Sequence, residues 1–136
     1  VPAWIAWRYR MTGLLYWGGM SYWAKTEDPW VQAPIYIGSG GVQQGRKGIV
    51  FNGEGSLVYP APAVGYDGVV PTIRLKALRD GIQDYEYLAL LERQGHAAEA
   101  EKIVRPLAES FFEWEKNPAA YESARAKLAA LILSVP

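Results

Sequence analysis

Gly13-Leu14-Leu15-Tyr16-Trp17 is a continuous apolar run closed off by glycines. A run of that kind reads as a strand buried on both faces. A second, Leu57-Val58-Tyr59, follows Asn52-Gly53-Glu54-Gly55 and stops at Pro60. Strands with apolar side chains toward both sides need parallel neighbours, and parallel neighbours come with crossover helices. Two such strands joined by a long loop do not complete a sheet. The expectation is therefore an α/β fold whose opening strands lie outside this chain.

Outward from these runs, Pro2 to Arg10 reads as the end of a helix with Trp4 and Ile5 on one side. Residues 18–52 hold many glycines and prolines and no sustained 3.6-residue period. Within them, Ile35-Tyr36-Ile37 and Ile49-Val50-Phe51 are spaced to pair as a hairpin across Gly38-Ser39-Gly40-Gly41. Loops this long inside compact domains tend to carry function. That glycine cluster has no following lysine and no strand-to-helix setting, so it does not read as a phosphate loop.

After Pro71 the chain turns helical. Pro71, with Thr72 as a cap, opens a helix to about Arg93, striped by Leu75, Leu78, Ile82, Tyr85 and Leu88. Gly81 interrupts the stripe at a cost of ~1 kcal/mol against alanine, which implies close packing against another element. Gln94-Gly95 ends this helix. The next runs from His96 to about Trp114, with Pro106 predicting a kink or break. Asn117-Pro118 marks the start of a third helix burying Tyr121, Ala124, Leu128, Leu131 and Ile132.

Composition excludes several classes of function. Fourteen basic residues balance fourteen acidic ones, so there is no positive field to displace counterions from a nucleic acid. No run is long enough to span a membrane. Without cysteine there is no disulfide, thiolate metal site or cysteine nucleophile. The one histidine, His96, sits at a helix boundary and has no Gly-x-Ser-x-Gly turn to serve. No metal or cofactor is implied. Most of the six tryptophans and nine tyrosines crowd into the first half. Flat apolar faces with a polar tip suit both core packing and the mixed surface of a sugar.

One ordered set of motifs is family-specific. Gly13 to Trp17, Tyr22-Trp23, Pro29-Trp30, Gly53-Glu54-Gly55-Ser56-Leu57-Val58-Tyr59-Pro60 and Pro71-Thr72-Ile73-Arg74-Leu75 lead into Leu78-Arg79-Asp80-Gly81-Ile82-Gln83-Asp84-Tyr85-Glu86-Tyr87-Leu88. Over roughly residues 3–92 the chain resembles the C-terminal end of the catalytic domain shared by glycoside hydrolase family 123 and domain-of-unknown-function family 4091. Departures are modest. Glu54 stands where aspartate is usual, Thr72 where serine is, and Lys76 and Gln83 where glutamates are common.

The resemblance implies a (β/α)8 TIM-like barrel, of which this chain would hold the last two strands and the final barrel helix, followed by two appended helices. On that reading residues 1–93 are the C-terminal portion of the barrel and 94–136 a helical extension of it. Barrel active sites lie at the C-terminal ends of the strands. Trp17, Tyr22, Trp23, Trp30, Tyr59 and Arg74 would then face the saccharide, an N-acetylhexosamine-type glycan. Characterised relatives are β-N-acetylgalactosaminidases in which an Asp-Glu pair makes the substrate's 2-acetamido group the nucleophile. That pair belongs to an upstream strand, so the chain alone is expected to be inactive and to contain no catalytic residue.

Arg79, Asp80, Gly81 and Asp84 read as architectural, with ion pairs fixing the helix; Lys76 is at the right spacing for Asp80. Glu27-Asp28 reads as a solvated turn before Pro29. Two alternatives stand beside the enzyme reading: a non-catalytic carbohydrate-binding or scaffold protein, and a helical interaction domain. Expected partners are the rest of the parent barrel and a strand-mediated or domain-swapped copy of itself. By resemblance the parent would be secreted or periplasmic.

Overall fold

A computed structural model describes residues 1–16, 20, 28–31, 35–37, 50–52 and 56–134. The chain divides into two compact units, Val1–Leu14 with Leu78–Pro136, and Leu15–Ala77.

The first unit is helical. It comprises α1 (Pro2–Arg8), the greater part of α2 (Ile73–Arg93), α3 (Ala97–Val104) and α4 (Pro118–Ser134). Its core is a single cluster to which every helix contributes: Trp4 and Trp7, Leu88 and Leu91, Ala100 and Val104, and Ala124 and Leu128. Leu88, Leu91 and Leu128 are fully buried. Each such leucine contributes roughly 1.5–3 kcal/mol. The Trp4 ring meets Tyr121 edge-on, centroids 5.9 Å apart.

Local sequence explains where these helices begin and end. Gly95 closes α2 with φ +89°, in the left-handed region that glycine enters without a Cβ penalty. The helix expected from His96 to Trp114 is instead the short α3, and residues 105–117 run on without regular structure. Pro106 is the reason, since it has no N–H to give and its ring crowds the preceding turn. Leu107 and Ala108 nevertheless turn back into the core, their N–H groups bonded to the Val104 carbonyl. Asn117 caps α4, its Oδ1 accepting from Ala119 N at 3.1 Å.

The second unit contains β1 (Ile35–Ile37), β2 (Val50–Asn52), β3 (Val58–Pro60) and β4 (Val69–Pro71). β1 pairs antiparallel with β2, Tyr36 opposite Phe51, close to the hairpin spacing read from sequence. β3 pairs antiparallel with β4, Tyr59 opposite Val70. Between them lie a 3-10 turn at Pro62–Val64 and two positive-φ glycines, Gly65 and Gly68. Prolines at Pro60 and Pro71 remove ladder donors where the hairpin stops.

These pairings overturn the barrel expectation. Among the described residues there are two separate two-stranded antiparallel sheets and no closed barrel. Leu57-Val58-Tyr59 does not wait for parallel neighbours, because residues 69–71 of the same chain fold back onto it. The other expected strand is not one: residues 13–16 have no regular structure, and Leu14 and Leu15 are 60% and 83% exposed. An apolar run states that burial would be favourable, not which partner would provide it.

Candidate functional site

In the second unit two predicted aromatics come together. Asp28 Oδ1 accepts from Trp30 N at 2.9 Å, forming a tight turn around the buried Pro29. The turn presents Trp30 to β3, where its indole Nε1 donates to the Pro60 carbonyl at 2.9 Å. The Trp30 and Tyr59 rings then stand perpendicular with centroids 5.2 Å apart. This arrangement is an aromatic corner with its polar edge anchored, and Trp30 remains 41% exposed. Such a corner offers a flat apolar face beside a phenol hydroxyl, which suits the C–H face and hydroxyl rim of a sugar ring.

Thr72 connects β3 to the helix beyond. Its N–H and Oγ1 both donate to the Leu57 carbonyl at 2.9 Å, and Oγ1 accepts from Leu75 N at 3.5 Å. Arg74, in the first turn of α2, is exposed and makes no ion pair among the described residues. Trp17, Tyr22 and Trp23, like the Gly53-Glu54-Gly55 motif and Glu27, lie outside the described residues.

The arginine-aspartate-glycine helix is organised differently from the spacing argument. Arg79, not Lys76, reaches Asp80, at 2.7 Å on an exposed face. Asp84 is buried and bridges elements distant in sequence. Trp4 Nε1 donates to its Oδ2 at 3.1 Å, and Arg125 Nε to its Oδ1 at 2.5 Å. Arg125 also donates to the Asp80 carbonyl at 3.0 Å. The Arg125 pKa is raised, first by the hydrogen bond to Asp84, so the guanidinium stays charged. Gly81 packs toward α1, and a Cβ built there would meet Ala3 Cβ at 3.4 Å, ordinary contact. Arg125 and Trp4 carried no sequence signal as partners of Asp84. Only folding brings positions 4, 84 and 125 within reach.

With both its oxygens engaged and its surface covered, Asp84 has no access to a substrate. His96 occupies the N-cap position of α3, 3.7 Å from Glu99, without a capping bond from its side chain. Among the described residues no cluster of histidine and carboxylate groups could hold a metal ion, and no helix is long and apolar enough to cross a membrane.

The described residues thus hold one carboxylate committed to structure and one aromatic corner left partly open. The family profile for glycoside hydrolase 123, catalytic domain, matches residues 1–91. The chain belongs to that family. The match includes Trp30, Tyr59, Arg74 and Asp84 but neither α3 nor α4. No match is found among curated proteins.

Proposed function

We propose that this chain is a non-catalytic, carbohydrate-contacting scaffold of the glycoside hydrolase 123 type. The Trp30–Tyr59 corner is the observation that carries this reading, since it leaves an aromatic face half open while fixing the indole edge to Pro60. Arg74 supplies an exposed guanidinium without an ion-pair partner among the described residues, free to donate to a sugar hydroxyl. Trp17, Tyr22 and Trp23 are further candidate sugar contacts by the family resemblance alone.

The commitment of two carboxylates, Asp84 and Asp28, supports the non-catalytic half of the proposal. Retaining glycosidases need two acidic functions, or one acid with an acetamido nucleophile oriented by a second carboxylate. Asp84 serves structure and Asp28 holds a turn. By the family resemblance, the Asp-Glu pair of a substrate-assisted β-N-acetylgalactosaminidase is assigned to residues upstream of this segment, and the segment itself to the C-terminal side of the catalytic domain. The parent is assigned to a secreted or periplasmic location, which fractionation of the source cells checks.

The chain is expected to release no chromophore from aryl β-N-acetylhexosaminides. Titration with N-acetylgalactosamine should shift the Trp30 indole N–H resonance, and Trp30→Ala should weaken binding about tenfold, the scale of one good aromatic contact. Turnover by the purified chain would overturn the non-catalytic reading. An unmoved Trp30 signal at saturating sugar would overturn the carbohydrate contact.

A further inference from the structure

The connection between α3 and α4, residues 105–117, lies beyond the family match and has no regular structure, yet it is firmly built. Glu115 N donates to the Leu107 carbonyl at 3.1 Å and Ser110 N to the Glu113 carbonyl at 2.9 Å. Ser110 Oγ accepts from Phe112 N and Glu113 N at 3.1 and 2.9 Å. Tyr121 Oη reaches the Leu107 and Glu115 carbonyls at 3.1 and 2.7 Å. Arg8 donates to the carbonyls of Ala108 and Glu109. The Tyr9 and Phe111 rings lie 4.2 Å apart, centroid to centroid. Loops of this length with fixed backbones are where binding residues concentrate.

What the frame displays is unusual for a solvent-facing loop. Phe112 is 89% exposed and Trp114 39% exposed, and both line a cleft of about 270 Å³. Pro106, Glu109, Glu113, Glu115 and Lys116 complete its lining. Glu115 is already committed, its Oε1 accepting from Lys116 N and Asn117 N at 2.7 Å each. Glu109 and Glu113 have no ion-pair partner among the described residues. Lys102 and Arg105 stand beside Glu109 on the adjoining surface. On the cleft and its adjoining surface the formal charges of three carboxylates and three cations balance. Lys116 Nζ lies 5.9 Å from the Trp114 ring centroid, which argues against a further cation there.

We infer that loop 105–117 forms a saccharide-binding site for a single neutral pyranose ring, with Phe112 and Trp114 against its C–H face and Glu109 and Glu113 accepting from its hydroxyls. A neutral polyol matches a cleft that combines aromatic faces with free acceptors and balanced charge, and the volume suits one ring better than a chain. The site uses none of the residues of the Trp30–Tyr59 corner, so the two can fail independently.

The test uses the full chain and the methyl β-glycosides of glucose, galactose and their 2-acetamido forms. Tryptophan indole N–H resonances report contact, with Trp114→Phe assigning the relevant signal. At least one glycoside should move the Trp114 signal saturably. Phe112→Ala, a change at a solvent-exposed position, and Glu113→Gln should each raise Kd about tenfold. Trp30→Ala should leave this response unchanged. The inference fails if no glycoside moves the Trp114 signal at its solubility limit, or if the response survives the Phe112→Ala/Glu113→Gln double substitution. It also fails if sedimentation shows concentration-dependent self-association that Phe112→Ala abolishes without any sugar response, since the loop would then be a contact between copies.

Discussion

Asp84 joins α2 to α1 through Trp4 and to α4 through Arg125, and its removal should be felt in all three helices. Breaking a buried pair by deleting one member costs about 3–5 kcal/mol, reduced here to about 2–3 because Arg125 is partly exposed and can be rehydrated. Asp84→Ala should lower the urea midpoint accordingly. Asp84→Asn, which keeps an acceptor for Trp4, should lose about half as much. Gly81 makes the opposite prediction. A methyl there finds Ala3 Cβ at 3.4 Å, so Gly81→Ala should raise thermal stability by about 0.5–1 kcal/mol through helix propensity. Gly81→Leu should instead push α1 away and cost about 1–3 kcal/mol. That Gly81 breaks the helical pattern is visible in the sequence. That its neighbour stands at an ordinary contact distance, leaving room for a methyl, is not.

At the scale of elements, α4 is tied to the 105–117 loop through Tyr121. Its pKa lies above the ordinary 10.0, raised first by desolvation and then by the nearby Glu115 carboxylate. The folded state therefore holds the neutral phenol more tightly than the unfolded chain does. Its contribution is fully present below pH 10.0 and is lost as pH rises through the higher folded-state pKa. Tyrosinate absorbance should rise later for Tyr121 than for exposed tyrosines, and Tyr121→Phe should lessen the alkaline loss of stability. Element ends were legible where one residue decides them locally: Pro106 stops α3, Gly95 stops α2, Asn117 starts α4 and Thr72 precedes α2. Strand identity was not legible, because Leu14-Leu15 and Leu57-Val58 have similar composition. One lies exposed without regular structure, and the other pairs with Val69–Pro71. The ion pairs were misread for a related reason. Helical spacing nominated Lys76 for Asp80, whereas the arginine beside it took the place.

For the whole molecule, the family match and the folding unit do not coincide. Residues 1–91 supply Trp4, Trp7, Leu88 and Leu91, but the side chains that close over them, Ala100, Val104, Ala124 and Leu128, come from beyond the match. A chain ending before Asn117 loses the α4 layer together with Arg125, and should show much reduced helical circular dichroism and no cooperative urea transition. Retention of a cooperative transition would mean that the first three helices are self-sufficient. The starts of α2 and α4, the stops at Gly95 and Pro106, the absence of cysteine, the balanced charge and the family membership follow from residues read in order, because each depends on neighbours within a few positions or on composition. The antiparallel return of β4 onto β3, the joining of Trp30 to Tyr59 and the meeting of positions 4, 84 and 125 depend on which distant surfaces exclude water together. Those choices compare whole arrangements of the chain, so they are settled only when it packs.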